Sequence, residues 1–283
     1  MTLIFALARA ASAQISVEVV MNQEQYLPGE SIPVRVRLVN NSGQTIHFGD
    51  EKWLSFSVES REGSIVTKTD ESPTKSGFDI RPTETITTRA SLAPVFTVSD
   101  PGRYSLVATV HVKDWNRDTP SATKFFDIVN GSKYWEQEFG VPQSPTNHAE
   151  PEVRKYILQQ ATMMKRMNLY LRLTDQSETR LYRVVNLGEM ISFSNPQERL
   201  DSRNNLHLLY QEGSHVYRYL IIDTDGILRS RQTYNYTTSA PRFKLDESGN
   251  PFIVGGVRHL ADNDFPPTPK KSRGTNDVSE HLP

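Results

Sequence analysis

The sequence predicts a mostly β protein of two modules: a two-sheet sandwich, then one amphipathic helix followed by an open antiparallel β meander. Apolar and polar residues alternate over most of residues 16–130, which is the pattern of half-buried strands. A segment around Asp201 recurs around Asp246, 45 residues later, each time as a strand end, a polar turn and an apolar strand. Apolar spacings of three and four after Pro151 favour a helix. The length of 283 residues fits about two domains.

The composition excludes several classes of function. The 32 basic and 33 acidic residues nearly cancel, so the summed charge does not attract nucleic acid or anionic lipid. The chain has no cysteine, which excludes disulfides, thiol nucleophiles, cysteine-ligated metals and a lipoprotein anchor. The folded modules must therefore be stabilised by their apolar cores.

Residues 1–15 predict a signal peptide. A short apolar run precedes Ala11-Ser12-Ala13, small residues of the kind that signal peptidase cleaves after, and we place the cleavage after Ala13. This pattern predicts export to the periplasm or the medium, and the alternative is an ordinary segment leading into the first strand. No later run approaches the roughly 18–20 apolar residues of a membrane-spanning helix, so we expect no integral membrane segment.

The first module covers residues 16–130. Val17, Val19 and Met21 share one face of a first strand, and Pro28-Gly29 supplies the central residues of a type II turn. Four apolar residues at alternate positions then mark a second strand: Ile32, Val34, Val36 and Leu38. Five further strands are expected at 53–58, 64–68, 85–92, 102–112 and 123–129. About seven short strands fit a two-sheet sandwich.

The motifs of this module carry a family resemblance. Tyr26-Leu-Pro-Gly-Glu30, Pro33-Val-Arg-Val-Arg-Leu-Val-Asn40 and Asp100-Pro-Gly-Arg-Tyr104 resemble bacterial immunoglobulin-like or macroglobulin-type domains. The resemblance implies an immunoglobulin-like β-sandwich and transfers no active site. Tyr104 is expected to bury its ring and bond its hydroxyl to the backbone, as aromatic residues at such corners do.

Residues 131–150 are predicted to link the two modules, because Pro142 and Pro145 cannot donate to a sheet ladder. Aromatic residues in this stretch, Tyr134, Trp135 and Phe139, are expected to pack rather than to line a site. The helix is then expected from Pro151, and its apolar stripe consists of Val153, Tyr156, Ile157, Ala161 and Met164. We expect the stripe to dock on a sheet, and a partner-binding helix is the alternative.

The second module, residues 151–262, continues with the repeat. A looser third copy aligns Asn168–Leu173 with Asn205–Tyr210 at an offset of 37 residues. Residues 165–262 resemble β-propeller blades, but they suffice for only two to two-and-a-half blades, whereas closed propellers use at least four. We therefore expect an open, blade-like stack whose edge is covered by the helix, the first module or another subunit. The proline- and lysine-containing tail, residues 263–283, is expected to be disordered.

The sequence offers no catalytic motif. It contains no nucleophile elbow, phosphate-binding loop, dinucleotide fingerprint or zincin spacing, so we predict no enzyme, no cofactor and no metal site. His207 and His215 could face each other across a hairpin, but a third ligand is not evident. Asp223-Thr-Asp-Gly226 resembles the start of a calcium loop, but Tyr234 occupies the position that requires a bidentate carboxylate. We interpret Asp201, Asp223 and Asp246 as turn residues.

The weak candidates for ligand binding are aromatic: Trp115, Tyr217, Tyr219 and Trp135, of which Trp115 lies in the most polar surroundings. The predicted function is a non-enzymatic, secreted or periplasmic binding or assembly protein. It would recognise another protein or a polysaccharide through a β edge or a loop surface, and a second copy of the chain is a further candidate partner. The alternative is an accessory module of a glycan-degrading complex or a proteinase-inhibitor-like domain.

Overall fold

The computed structural model describes residues 14–48, 52–63, 66–68, 77–93, 95–141 and 152–266. The chain folds into two compact units. The first unit holds the described residues up to Lys133 together with Gln159–Met163 and Arg183–Asn186, and the second unit holds the other described residues. Both units are built of strands, which confirms the mostly β prediction, and no described helix is long and apolar enough to cross a membrane.

Twelve strands and one 3-10 turn, Lys113–Trp115, lie wholly within the described part of the first unit. The strands are β1 (Ile15–Met21), β2 (Gln25–Tyr26), β3 (Pro33–Asn40), β4 (Ile46–Phe48), β5 (Leu54–Ser60), β6 (Thr67–Lys68), β7 (Phe78–Ile80), β8 (Thr85–Ser91), β9 (Phe96–Thr97), β10 (Gly102–Val112), β11 (Arg117–Pro120) and β12 (Lys124–Ile128). One sheet has the order β1-β3-β8, and a second has the order β11-β10-β12-β2, with β5 also paired to β10. Short pairs β4-β7 and β6-β9 complete the unit.

One apolar core fills this unit. Val34, Val36 and Leu38 of β3 are at most 1% exposed while the residues between them are largely exposed, as the alternation of the sequence predicts. The predicted role of Tyr104 is confirmed: its ring stacks on Phe126 and its hydroxyl donates to the carbonyl of Asp100 at 2.7 Å. Burial raises the pKa of the Tyr104 hydroxyl.

The second unit contains most of the residues of the remaining described strands. These strands are β13 (Ser132–Gly140), β14 (Val153–Met163), β15 (Arg166–Asp175), β16 (Leu181–Glu189), β17 (Gln197–Leu200), β18 (Leu206–Gln211), β19 (Val216–Ile222), β20 (Leu228–Asn235), β21 (Arg242–Leu245), β22 (Pro251–Val254) and β23 (Val257–His259). The first unit shares parts of β13, β14 and β16. Three sheets follow one another along the chain: β13-β14-β15-β16, then β17-β18-β19-β20 with β23 added at the end, and the pair β21-β22.

The predicted amphipathic helix is wrong. The segment forms the strand β14, which lies between β13 and β15. Tyr156, Ile157 and Leu158 are consecutive and each is at most 1% exposed, which a one-sided helical stripe does not allow. A short apolar run that is buried on both faces has no period of its own, so spacing cannot distinguish it from a helix. Neighbouring strands on both sides decided its conformation.

Two predicted boundaries also change. The stretch assigned to a linker contains β13, because the chain joins a sheet again directly after the first unit. Residues 263–266, assigned to the predicted tail, contact the folded chain: Phe265 exchanges two backbone hydrogen bonds with Arg231, and Asp264 is 7% exposed. The predicted signal peptide up to Ala13, Pro151 and the tail from residue 267 lie outside the described residues.

The structure places both copies of the 45-residue repeat in the same kind of hairpin. Asp201 lies between β17 and β18, and Asp246 lies between β21 and β22. The looser third copy is one strand out of step, since it aligns β15, the third strand of its sheet, with β18, the second strand of the next. Asp175, which ends β15, and Asp223, which directly follows β19, are equivalent to each other, since β15 and β19 are each the third strand of a sheet. Similar residues recur on every strand of a meander, which explains the shifted alignment.

Candidate binding site

Four aspartates close the turns of the second unit in one way. In the turns of Asp201, Asp223 and Asp246, carboxylate oxygen Oδ1 accepts the backbone N–H groups two and four residues later, at 2.8–3.0 Å. The residue three positions later has positive φ: Asn204 at 61°, Gly226 at 72° and Gly249 at 80°. The turn of Asp175 is one residue longer and uses Glu178 at a φ of 59°. These carboxylates hold the backbone, as predicted, which gives each of them a structural role.

Tyr156 connects two of these turns. Its buried hydroxyl lies 2.8 Å from the carbonyl oxygen of Asp223 and 3.2 Å from that of Asn204, and its ring stacks on Phe139 with centroids 4.1 Å apart. Burial and the nearby carboxylate of Asp223 raise the pKa of this hydroxyl strongly, so it is a permanent donor. The turns around Asp201 and Asp223 are therefore fixed to β14 at one end of the sheets.

Arg154 reinforces the same end. Its guanidinium group donates to Glu152, to Asp225 and to the carbonyl of Thr224, at 2.7–3.2 Å. The Tyr182 ring lies 4.6 Å from the same guanidinium carbon, and its hydroxyl donates to Glu152 at 2.7 Å. Hydrogen bonds from Arg154 and Tyr182 lower the pKa of the Glu152 carboxyl. Every charged group named in this cluster therefore has a partner within the unit.

A buried chain of three polar side chains runs across β18 and β19. Tyr219 Oη lies 2.6 Å from His207 Nδ1, and His207 Nε2 lies 3.3 Å from Asp201 Oδ2. Neutral His207 can donate from Nε2 to the carboxylate and accept from the tyrosine at Nδ1. Burial lowers the pKa of the imidazole, against the opposing effect of Asp201. The arrangement favours a neutral histidine inside the protein.

The three side chains of this hydrogen-bonded chain are largely buried. The side chains of His207 and Asp201 are 8% and 15% exposed, and Tyr219 is 7% exposed. His207 faces Tyr219 and Asp201 rather than His215, which lies in the turn beside Tyr236. Over the residues that the structure describes, no group of three histidines or carboxylates is arranged to hold a metal ion. The three groups connect two strands and a turn.

The strands β21 and β22 form a sheet of only two strands, without a further hydrogen-bonded strand in the described part of the chain. The two preceding sheets have four or more strands. On one face, the Phe243 ring contacts the Tyr219 ring at 5.8 Å, in an edge-to-face arrangement. Strand residues alternate between faces, so Lys244 and its cross-strand neighbour Phe252 lie on the opposite face. That face has no sheet packed on it in the described chain.

Two features of this hairpin are unusual for a protein surface. Phe252 is 43% exposed and Leu245 is 55% exposed. Arg242 and Lys244 are exposed, and neither has a carboxylate within ion-pair distance among the described residues. The open edge of β22 and the face that carries Phe252 form what we call the β22 surface, with the side chains of Arg242, Lys244, Phe252 and Val254.

The aromatic candidates predicted from the sequence do not converge. Trp115 belongs to the first unit, where it is partly buried against the apolar core. Trp135 lies half-buried on β13, and Tyr217 lies half-buried on β19 opposite Tyr234. Tyr219 is buried and bonded to His207, which argues against direct contact with a ligand. Among the described residues of the second unit, no ring contact joins Trp135 to Tyr217 or Tyr219.

The sequence did contain a signal for the β22 surface. The repeat ends after two strands of its second full copy, so the number of strands in the last sheet could be counted as incomplete. Phe252 belongs to the repeat, but its exposure depends on whether a third strand follows. Only the structure shows that the chain instead returns through Gly255 and Gly256 to pair β23 with β20.

Comparisons with known proteins give little further information. Neither a known protein family nor a curated protein sequence matches the chain. Among solved structures, the chain is similar to the sporulation control protein Spo0M from Bacillus subtilis, with 10% sequence identity and a TM-score of 0.31. That match covers 62% of this chain and 90% of that protein. A similarity this low supports no conclusion about function.

Proposed function

We propose that the protein is an extracytoplasmic binding or assembly protein that recognises an extended segment of another protein at the β22 surface. The two larger sheets of the first unit are compatible with the immunoglobulin-like domain that its sequence motifs resemble, and we interpret the sheets of the second unit as blade-like meanders whose last blade is incomplete. The extracytoplasmic location rests on the sequence pattern before Ala13. The incomplete last sheet is the observation that carries the proposal.

Strand addition fits the β22 surface on physical grounds. An edge strand presents unpaired backbone N–H and C=O groups, and an added strand satisfies them while its side chains give specificity. Phe252 offers an apolar contact beside the edge. Arg242 and Lys244 on the same face attract carboxylates, so the expected partner strand alternates apolar and acidic residues.

A pair of synthetic peptides tests this proposal. One heptapeptide alternates valine with glutamate, and the matched control alternates valine with lysine. We expect the acidic peptide to protect the backbone amides of β22 from hydrogen exchange, since those amides gain partners, and the basic peptide to leave them unprotected. Peptide binding should weaken as salt is added, because the charges involved are exposed.

Two variants locate the effect. Phe252→Asp should abolish the protection by placing a carboxylate on the docking face. Phe193→Asp is the matched control, because Phe193 is 84% exposed and lies outside the β21–β22 hairpin, in the loop between β16 and β17 of the same unit. Equal protection by both peptides, or an equal loss in both variants, would refute recognition at β22. Protection that appears without peptide and rises with protein concentration would identify a second copy as the partner.

A further inference from the structure

The outer face of the sheet β1-β3-β8 carries an unusual row of charge. Arg35 in the middle strand lies directly opposite Arg89 in β8 and opposite Val20 in β1. Both arginines are exposed on the face away from the core. Directly opposed residues of an antiparallel pair have their Cβ atoms about 4.5–5.5 Å apart, and like charges at that position are destabilising. The pair thus weakens the sheet unless an anion compensates it.

The protein itself supplies no such anion in the part of the chain that the structure describes. Arg35 donates to the neutral amide oxygen of Asn22, at 2.9 Å, and Arg89 has neither a hydrogen bond nor an ion pair with any described side chain. The next arginine on the same face, Arg37, differs because Glu18 lies 3.7 Å from it. A carboxylate therefore balances Arg37, two residues along the strand, whereas no described carboxylate balances Arg35 and Arg89.

A groove lies at these two arginines. Its volume is about 350 Å³, and it is lined by Asn22, Pro33, Val34, Arg35, Arg89 and Ala90. Val34 and Ala90 are themselves a cross-strand pair, so the floor belongs to two hydrogen-bonded strands and is rigid. The Asn22 amide restrains the Arg35 guanidinium at one end. The groove combines two positive charges, one orienting amide and a rigid floor formed by the backbone of β3 and β8, since the Val34 side chain points into the core.

We propose that this groove binds an oxyanion group, a sulfate or a phosphate, held between the guanidinium groups of Arg35 and Arg89. A guanidinium group donates parallel hydrogen bonds that match the spacing of oxygens on such anions. One divalent anion, or one anionic group of a saccharide, would neutralise the repulsion that the sheet tolerates without it. This site lies in the first unit and does not depend on recognition at β22.

Titration of the full chain with inorganic sulfate and with inorganic phosphate tests the proposal, at constant ionic strength maintained with chloride. We expect both anions to raise the melting temperature of the first unit, because a ligand that binds the folded state stabilises it. A parallel titration with a sulfated oligosaccharide distinguishes the source of the group. Tighter binding of the oligosaccharide than of free sulfate would identify an anionic glycan, and the reverse would identify the free ion.

Three charge-neutralising variants assign the site. Arg35→Gln and Arg89→Gln should each weaken anion binding by about tenfold or more, since each removes one bidentate donor. Arg37→Gln removes the same charge from the same strand and face, and should weaken binding by only about twofold through its general field. Without anion, Arg89→Gln should not lower the melting temperature, which separates a lost site from misfolding. An equal effect of all three variants, or no binding of any of these anions, would overturn the proposal.

Discussion

Replacing Tyr156 with phenylalanine tests whether one hydroxyl group fixes the turns of the second unit. The change removes the donor to the carbonyl oxygens of Asp223 and Asn204 and keeps the ring that stacks on Phe139. Asp223 O retains a hydrogen bond from Gly226 N at 2.9 Å. Asn204 O has no other hydrogen-bond donor among the described residues. The main cost is therefore one buried carbonyl left without its partner.

The expected loss is about 1–2 kcal/mol in the free energy of unfolding, the usual cost of removing a donor from a buried acceptor. For a unit of this size that corresponds to a fall of roughly 4–8 °C in melting temperature. Tyr156→Ala should cost more, about 3–5 kcal/mol, because it also leaves a cavity beside Phe139. Chemical denaturation followed by circular dichroism gives the free energies, with the two units treated as separate transitions.

Hydrogen exchange distinguishes this explanation from a general loss of stability. In Tyr156→Phe, amides of the turns 201–205 and 223–227 should exchange faster than those of the turn 246–250, which does not contact Tyr156. Tyr104→Phe is the matched control, because that hydroxyl also bonds to a backbone carbonyl but in the first unit. A loss below about 0.3 kcal/mol, or equal acceleration in all three turns, would refute the reasoning.

Four further predictions concern groups inside the second unit. Burial lowers the pKa of His207, so the unfolded chain takes up the proton at a higher pH than the folded chain does. The free energy of unfolding should therefore fall as the pH drops below 6.5, and His207→Gln should remove this dependence in urea titrations. Burial raises the pKa of Glu198, one oxygen of which lacks a partner, so Glu198→Gln should raise the urea midpoint at pH 7.5 and lose this advantage in acid. Gly256→Ala should lower the melting temperature more than Gly249→Ala, since both have positive φ but only the first would place Cβ 2.6 Å from a proline ring atom. Arg218→Met should cost about 2 kcal/mol, because the largely buried guanidinium group no longer donates to Glu212 and Asn263, and should speed proteolysis after residue 256, since the bond to Asn263 holds that segment.

The two proposed sites differ in which groups lack a partner within the described chain. At β22 the demand is for backbone partners, because a sheet ends after two strands. At Arg35 and Arg89 the demand is for charge, because two guanidinium groups face each other without a carboxylate in the described chain. Neither site contains the aromatic residues that the sequence favoured. Aromatic side chains in this protein, such as Tyr156, Tyr104 and Tyr219, are used mainly to hold carbonyls, turns and neighbouring rings.

Local patterns in the sequence predicted a large share of the fold. The alternation in β3 and β10 specified which residues enter the core, since a strand that is buried on one face leaves its period in the chain. The turns around Asp201, Asp223 and Asp246 were predictable for a similar reason, because the carboxylate and the residue with positive φ act within five residues. The incomplete last repeat left a signal in the sequence, but the exposure of Phe252 was not predictable, since it depends on β23 pairing with β20 rather than with β22.

The sequence by itself determined the strand faces, the turn chemistry and the mostly β class, because each depends on interactions among residues close together in the chain. The tertiary structure decided that Val153–Met163 is a strand, that Arg35 and Arg89 oppose each other, and that the last sheet stops at two strands. Each of these depends on which distant strand lies alongside. A run such as Tyr156-Ile157-Leu158 satisfies either conformation locally, and only neighbours on both sides make the extended form the lower in free energy.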